Sequence, residues 1–251
     1  MSASRISGYF VCGGKYHDID FARAEILQLL LELERVRTRV AEDYRDVDAL
    51  VASDFLVTYT VDVVPDEATA ARIRDYVASG RRWFALHGTN SVLRYVKGKG
   101  WDAPRAAPLF MQTLGSQFVA HPPIAPYRVE VTEPSHPLVA GIEPFDADDE
   151  LYLSELHPPL QVLLHTRYAG EAAGFVERDW NRDEPRPVCY LKRVGEGEVL
   201  YLTLGHARGR YDMQPLMAEY PHVERGSWKT PAFYTLLRRG LRWAARLDGA
   251  G

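Results

Sequence analysis

The chain has 251 residues, 46% of them hydrophobic, and a formal net charge of −4. That length and apolar content fill the core of an ordinary α/β domain, and the mild acidity excludes a broad electrostatic footprint for nucleic acid. The two cysteines, Cys12 and Cys189, are too few for a disulfide framework and lack metal-finger spacing.

No apolar run approaches the ~20 residues that span a bilayer. The first residues, Met-Ser-Ala-Ser-Arg, lead straight into a strand with no apolar signal-peptide core. The expectation is a soluble cytoplasmic protein.

Ile6 to Val11 reads as a strand, closed by Cys12-Gly13-Gly14, whose glycines permit a tight turn close to a ligand. A helix follows from about Phe21, with Ile26, Leu29, Leu30 and Leu33 on one face. Val36, Thr38 and Val40 alternate with Arg37 and Arg39, as in a half-exposed strand near a sheet edge. Asp54 to Thr60 is a third strand. Pro65 opens a helix with Ile73, Tyr76 and Val77 inside, and Gly80 ends it. Trp83 to Leu86 is a fourth, buried strand, and polarity switches at once to His87-Gly88-Thr89-Asn90. Such a strand-end elbow carries a Ser or Cys nucleophile in hydrolases and amidotransferases. Here it carries a histidine.

The middle third is less regular. Val92 to Val96 suits a short helix, Tyr127 to Thr132 and Val162 to His165 suit strands, and the rest reads as loop. Pro187 to Val194 and Glu198 to Leu204 form a hairpin about Gly195-Glu196-Gly197, ending at Gly205-His206. Phe233 to Ala244 is a closing helix. No linker divides the chain, so residues 1–251 read as one domain around a doubly wound parallel sheet.

In a parallel sheet the strand carboxyl ends share one edge, where residues remote in sequence meet. Gly14 to Asp18, Tyr59 to Asp62, His87 to Asn90 and Gly205-His206 reach that edge. His121 and Glu150 lie in excursions able to fold over it. Imidazole suits metal ligation or proton transfer near neutral pH, and histidines with one carboxylate form many zinc and iron sites. His87, His206 and Glu150 are therefore the candidate catalytic residues. His87, His121 and His206 are the candidate ligands of a divalent metal, zinc first. His17, Asp18, Tyr59, Asn90 and Tyr152 are candidate substrate contacts. Asp148-Asp149-Glu150 has the composition of a solvated loop, His136 of a turn, and Cys12 of an inert buried thiol.

Several short motifs occur in a fixed order: Gly-Lys-Tyr-His17-Asp18, Phe84-Ala-Leu-His87-Gly88, Gly115-Ser-Gln-Phe118 with His121-Pro122, Ser135-His136-Pro137, Asp149-Glu150-Leu-Tyr152, and Leu204-Gly205-His206. Together, from about Ile6 to Ala245, they resemble the trehalose-utilisation ThuA-like family of the class I glutamine amidotransferase-like superfamily. The resemblance implies a flavodoxin-like three-layer α/β sandwich with a mainly parallel sheet, and a link to trehalose and related sugars. Glutaminase chemistry is not expected, because the thioester needs a cysteine at the elbow and His87 stands there. Arg208 to Ser227 is longer and more basic than the family leads one to expect, as in a lid or a partner surface.

The expected function is an enzyme acting on a sugar or oxidised sugar, with the histidines either holding a metal or working as acid and base with Glu150. The alternative is a non-catalytic carbohydrate-binding or regulatory protein on the same fold. The expected partner is a small-molecule sugar, with neither nucleic acid nor membrane, and a homo-oligomer is compatible with the sequence.

Overall fold

A computed structural model of the chain describes residues 4–247. Strand and helix alternate through β1 (Ile6–Gly14), α1 (Ile19–Leu31), β2 (Val36–Ala41), α2 (Val47–Val51), β3 (Phe55–Val61), α3 (Glu67–Ala78) and β4 (Arg82–Leu86). Every residue of β3 is buried, as a strand covered on both faces requires. The side chain of Asp18 caps α1 and that of Asp66 caps α3, each accepting a backbone N–H three residues on. Pro65 stands just ahead of the Asp66 cap, and Gly80 lies just beyond the end of α3.

The second half contains β5 (Arg94–Val96), β6 (Gly100–Asp102), α4 (Pro108–Leu114), β7 (Ser116–Ala120), β8 (Ala125–Val131), β9 (Phe145–Asp149), β10 (Leu153–Leu156), β11 (Gln161–Glu171), β12 (Asp179–Val194), β13 (Gly197–Leu202) and α5 (Pro231–Ala244). Residues 92–96 are not the expected helix. Arg94–Val96 pairs antiparallel with Gly100–Asp102, because the turn between them folds the two short segments onto each other.

The main sheet has nine strands in the order β2-β1-β3-β4-β13-β12-β11-β8-β9. From β2 to β13 the pairing is parallel, in the strand order of flavodoxin-like folds. From β13 outward the remaining strands are antiparallel, joined by the expected hairpin of β12 and β13. The doubly wound sheet read from the sequence is thus one half of a mixed sheet. The half-exposed strand of alternating Val and Arg residues, β2, lies at its edge.

Alternate side chains of the parallel half enter opposite cores. Phe10, Val57, Tyr59 and Phe84 pack with α1 and α5 on one face. Tyr9, Val11, Leu56 and Trp83 pack with α2, α3 and α4 on the other. The result is the three-layer α/β sandwich. Among the described residues no helix is long and apolar enough to cross a membrane.

α5 packs tightly on the sheet at Gly240, where an added Cβ would stand 2.5 Å from the Phe84 ring. Replacing Gly240 with Leu forces α5 off β4 and is expected to cost about 1–3 kcal/mol, seen as a melting temperature lower by roughly 3–10 °C. An unchanged melting temperature would contradict this packing.

Candidate functional site

The carboxyl ends of β1, β4 and β13 lie on one side of the parallel half, and each releases a histidine there. His17 lies three residues beyond Gly14, the last residue of β1, His87 begins a single 3₁₀ turn directly after β4, and His206 follows Gly205 beyond β13. His87 and His206 are fully buried and His17 nearly so. The His87 backbone sits at φ +45°, a left-handed conformation costly for a residue with a side chain. Its surroundings hold it there: its carbonyl accepts the Tyr201 hydroxyl, and Gly88 lies against Val61 and the Thr60 carbonyl, leaving no room for a Cβ.

The ring nitrogens converge. His17 Nε2 is 2.8 Å from His87 Nε2 and 3.2 Å from His206 Nδ1. Glu150 joins them, its Oε1 3.1 Å from His206 Nδ1 and its Oε2 3.5 Å from His87 Nε2 and 3.8 Å from His17 Nε2. The outward nitrogens assign the protons. His87 Nδ1 lies 2.8 Å from the Thr203 carbonyl, which only accepts, so Nδ1 carries the hydrogen and Nε2 turns a lone pair inward. His206 Nε2 likewise donates to Glu224 Oε2 at 2.6 Å. His17 Nδ1 is buried with no partner among the described residues, so only its Nε2 side is engaged.

Burial pushes the His17 imidazole down to about 4, so it is neutral at pH 7. Burial also disfavours charge on Glu150 and His206, but their mutual attraction prevails. Glu150 is held well below the usual carboxylate range by the neighbouring His206, His121 and His17. His206 is raised to about 9 by Glu150 and Glu224. Without a cation, the second proton of His206 occupies Nδ1, facing Glu150. A dication and that proton compete for the same place.

The donor set fits a metal. Ligand atoms about 2.05 Å from a tetrahedral ion stand roughly 3.3 Å apart. The separations here, from 2.8 to 3.8 Å, bracket that value, and the four ligand atoms of His17, His87, Glu150 and His206 all lie within 4.8 Å of one another. A carbonyl behind His87 and a carboxylate behind His206 are the usual outer partners of metal-binding imidazoles.

His121 stands outside this group of four. Its Nε2 is 3.6 Å from Glu150 Oε1, its Nδ1 donates to the Pro122 carbonyl, and its ring faces a cavity of about 410 Å³. His17 occupies the third imidazole position instead. Of the candidate substrate contacts, His17 and Tyr152 line the cavity, with the Tyr152 hydroxyl 3.3 Å from His87 Nε2. Asp18 caps α1 and pairs with Arg225 at 2.9 Å. Tyr59 lies behind His87, its ring stacked at 6.0 Å and its hydroxyl donating to the Gly205 carbonyl. Asn90 is buried and donates to Ser116 Oγ. Both cysteines are buried, which raises each thiol to about 12, and neither lines the cavity.

Three residues of the site were not among the candidates read from the sequence. Asp149 lies in an acidic triplet that reads as a solvated loop, yet it is fully buried and accepts the backbone N–H groups of Glu150, Gly205, His206 and Ser227. Glu224 and Arg208 belong to the basic segment read as a lid or partner surface. Here Glu224 takes both the His206 N–H and the Arg208 guanidinium.

The fold and site define a three-layer α/β sandwich with a buried cluster of three histidines and one glutamate at the carboxyl edge of its parallel strands. The family model described as trehalose utilisation, ThuA, matches residues 10–244, and the chain belongs to this family. A ThuA-like protein from Bacteroides uniformis ATCC 8492 is similar at 17% identity and TM-score 0.67, over 100% of this chain and 96% of that one. Another, from Parabacteroides merdae ATCC 43184, is similar at 20% identity and TM-score 0.63, over 96% and 90%. At these identities the likeness shows the fold alone. No curated protein matches the chain significantly.

Asp149→Asn puts an amide NH₂ in place of an acceptor for these backbone donors. The expected cost is about 2–4 kcal/mol in chemical denaturation, with metal affinity reduced through the displaced His206 and Glu150. A variant as stable as the wild type would show that Asp149 does not organise the site.

Proposed function

We propose that the protein is a divalent-metal-dependent enzyme acting on a sugar or an oxidised sugar derivative, and that it is not a glutaminase. One observation carries the reading: three imidazole nitrogens and the Glu150 carboxylate converge at the strand carboxyl edge, with their outer partners in place. His17, His87, His206 and Glu150 would hold the ion, zinc foremost, and a bound ion supplies Lewis acidity toward a substrate oxygen or a water. Family membership supports a carbohydrate substrate, as do the aromatic walls of Tyr16, Trp101, Phe118 and Phe175, whose faces suit stacking against a sugar.

The chain's own groups divide the remaining work. Tyr152 presents its hydroxyl at the cavity floor beside His87 and positions a substrate oxygen there. His121 is the cavity imidazole outside the ligand group. With Nδ1 committed to the Pro122 carbonyl, its Nε2 is the exchangeable nitrogen and serves as acid or base beside Glu150. The buried thiols take no part.

Tag-free protein grown in metal-supplemented medium is expected to hold about one divalent ion per chain and to convert at least one member of a panel of sugars and oxidised sugars. His87→Ala should lose the ion, and His121→Ala should keep it while turnover falls about 10²–10⁴-fold. A metal content near zero would remove this reading. A metal-free acid–base mechanism would then remain, favoured by the elevated His206 imidazolium facing Glu150, and its turnover would survive chelator.

A further inference from the structure

The cavity carries a feature that ion binding does not use. Its charged lining residues are Glu150, Glu224 and Arg208. Arg208 is nearly buried, and it is held at the neck of the loop that follows β13. Its N–H donates to the Glu224 carbonyl at 3.0 Å, and the Glu224 N–H returns to its own carbonyl at 2.8 Å. One face of the guanidinium lies 4.6 Å from the centre of the Tyr220 ring. One terminal nitrogen donates to Glu224 Oε2 at 2.6 Å, and Nε is buried with no acceptor among the described residues.

A guanidinium offers five donors in a planar fork. Glu224 also accepts the His206 N–H, so it answers only part of that fork. With a dication held by the histidines, the two carboxylates and the guanidinium leave the site with one positive charge. Between aromatic walls that excess is weakly screened. A neutral sugar gives such a site nothing to balance.

We propose that the substrate is a sugar acid, and that Arg208 binds its carboxylate while another oxygen of the same molecule lies at the histidine cluster. Carboxylate matches the fork of a guanidinium and gives the short, charge-assisted contacts that hydroxyls do not. Arg208 is then the residue that separates acidic from neutral sugars. The proposal rests on the metal-site reading for the far end of the ligand and on Arg208 alone for the near end.

Calorimetric titration of the metal-loaded full chain with glucuronate, gluconate and glucose tests it. At least one of the two acids is expected to bind about tenfold or more tightly than glucose. Arg208→Gln should bring that acid to the level of glucose while holding as much metal as the wild type, and Arg208→Lys should keep part of the preference. Equal binding of acids and glucose by the wild type would overturn the proposal. So would a preference that survives in Arg208→Gln, including one that disappears only when the ion is stripped, since the carboxylate would then sit on the metal. Should the Gln variant lose its native circular dichroism, the wild-type ratio and the Lys variant decide. A wild type that holds no metal yet prefers an acid through Arg208 would sink the metal reading and leave this one standing.

Discussion

The site depends on one buried carboxylate. Asp149 accepts hydrogen bonds from the backbone of Glu150, Gly205, His206 and Ser227. These donors come from the segment that carries Glu150, the turn that carries His206, and the stretch ahead of α5. Backbone N–H groups inside a protein need acceptors, and a charged acceptor shared among segments remote in sequence fixes them relative to one another more firmly than separate bonds. With Asp149 in place, Glu150 and His206 have no choice but to face each other. His17 and His87 then arrive from the parallel strands, where the sheet itself sets their positions.

The elbow contributes the second constraint. Strain at the strand end, φ +45° at His87, turns an imidazole inward against two others. The Thr203 carbonyl, one residue beyond β13, takes the Nδ1 hydrogen and so fixes the tautomer of His87. The cysteines, pushed to about 12 by burial, are outside this arrangement.

Much of the parallel half was legible in the sequence because its signals are local. Continuous apolar runs mark β3 and β4, a 3.6-residue period marks α1 and α3, and the alternation of Val and Arg marks β2 as an edge. The hairpin of β12 and β13 announced itself through Gly195-Glu196-Gly197. The antiparallel extension was harder to read, because β12 begins with seven largely exposed residues, Asp179–Pro185, before its buried half. His87, His206 and Glu150 were found through strand ends and spacing. His17 was seen as a substrate contact, and its place among the ligand atoms follows from how far the turn after β1 reaches, which composition does not encode. The role of Asp149 was hidden for a deeper reason: its partners are main-chain groups, identical in every residue, so its own acidic triplet reads as a solvated loop. Glu224 and Arg208, sixteen residues apart, meet only because a backbone bridge closes their loop and sets the carboxylate against the guanidinium.

X-ray absorption at the metal edge of the purified protein tests the central claim most directly. The account predicts a first shell of three imidazole nitrogens and one carboxylate oxygen at about 2.0–2.2 Å, with one imidazole lost when His17, His87 or His206 is replaced by Ala. A shell made only of water-like oxygens, or one unchanged by all three replacements, would contradict it.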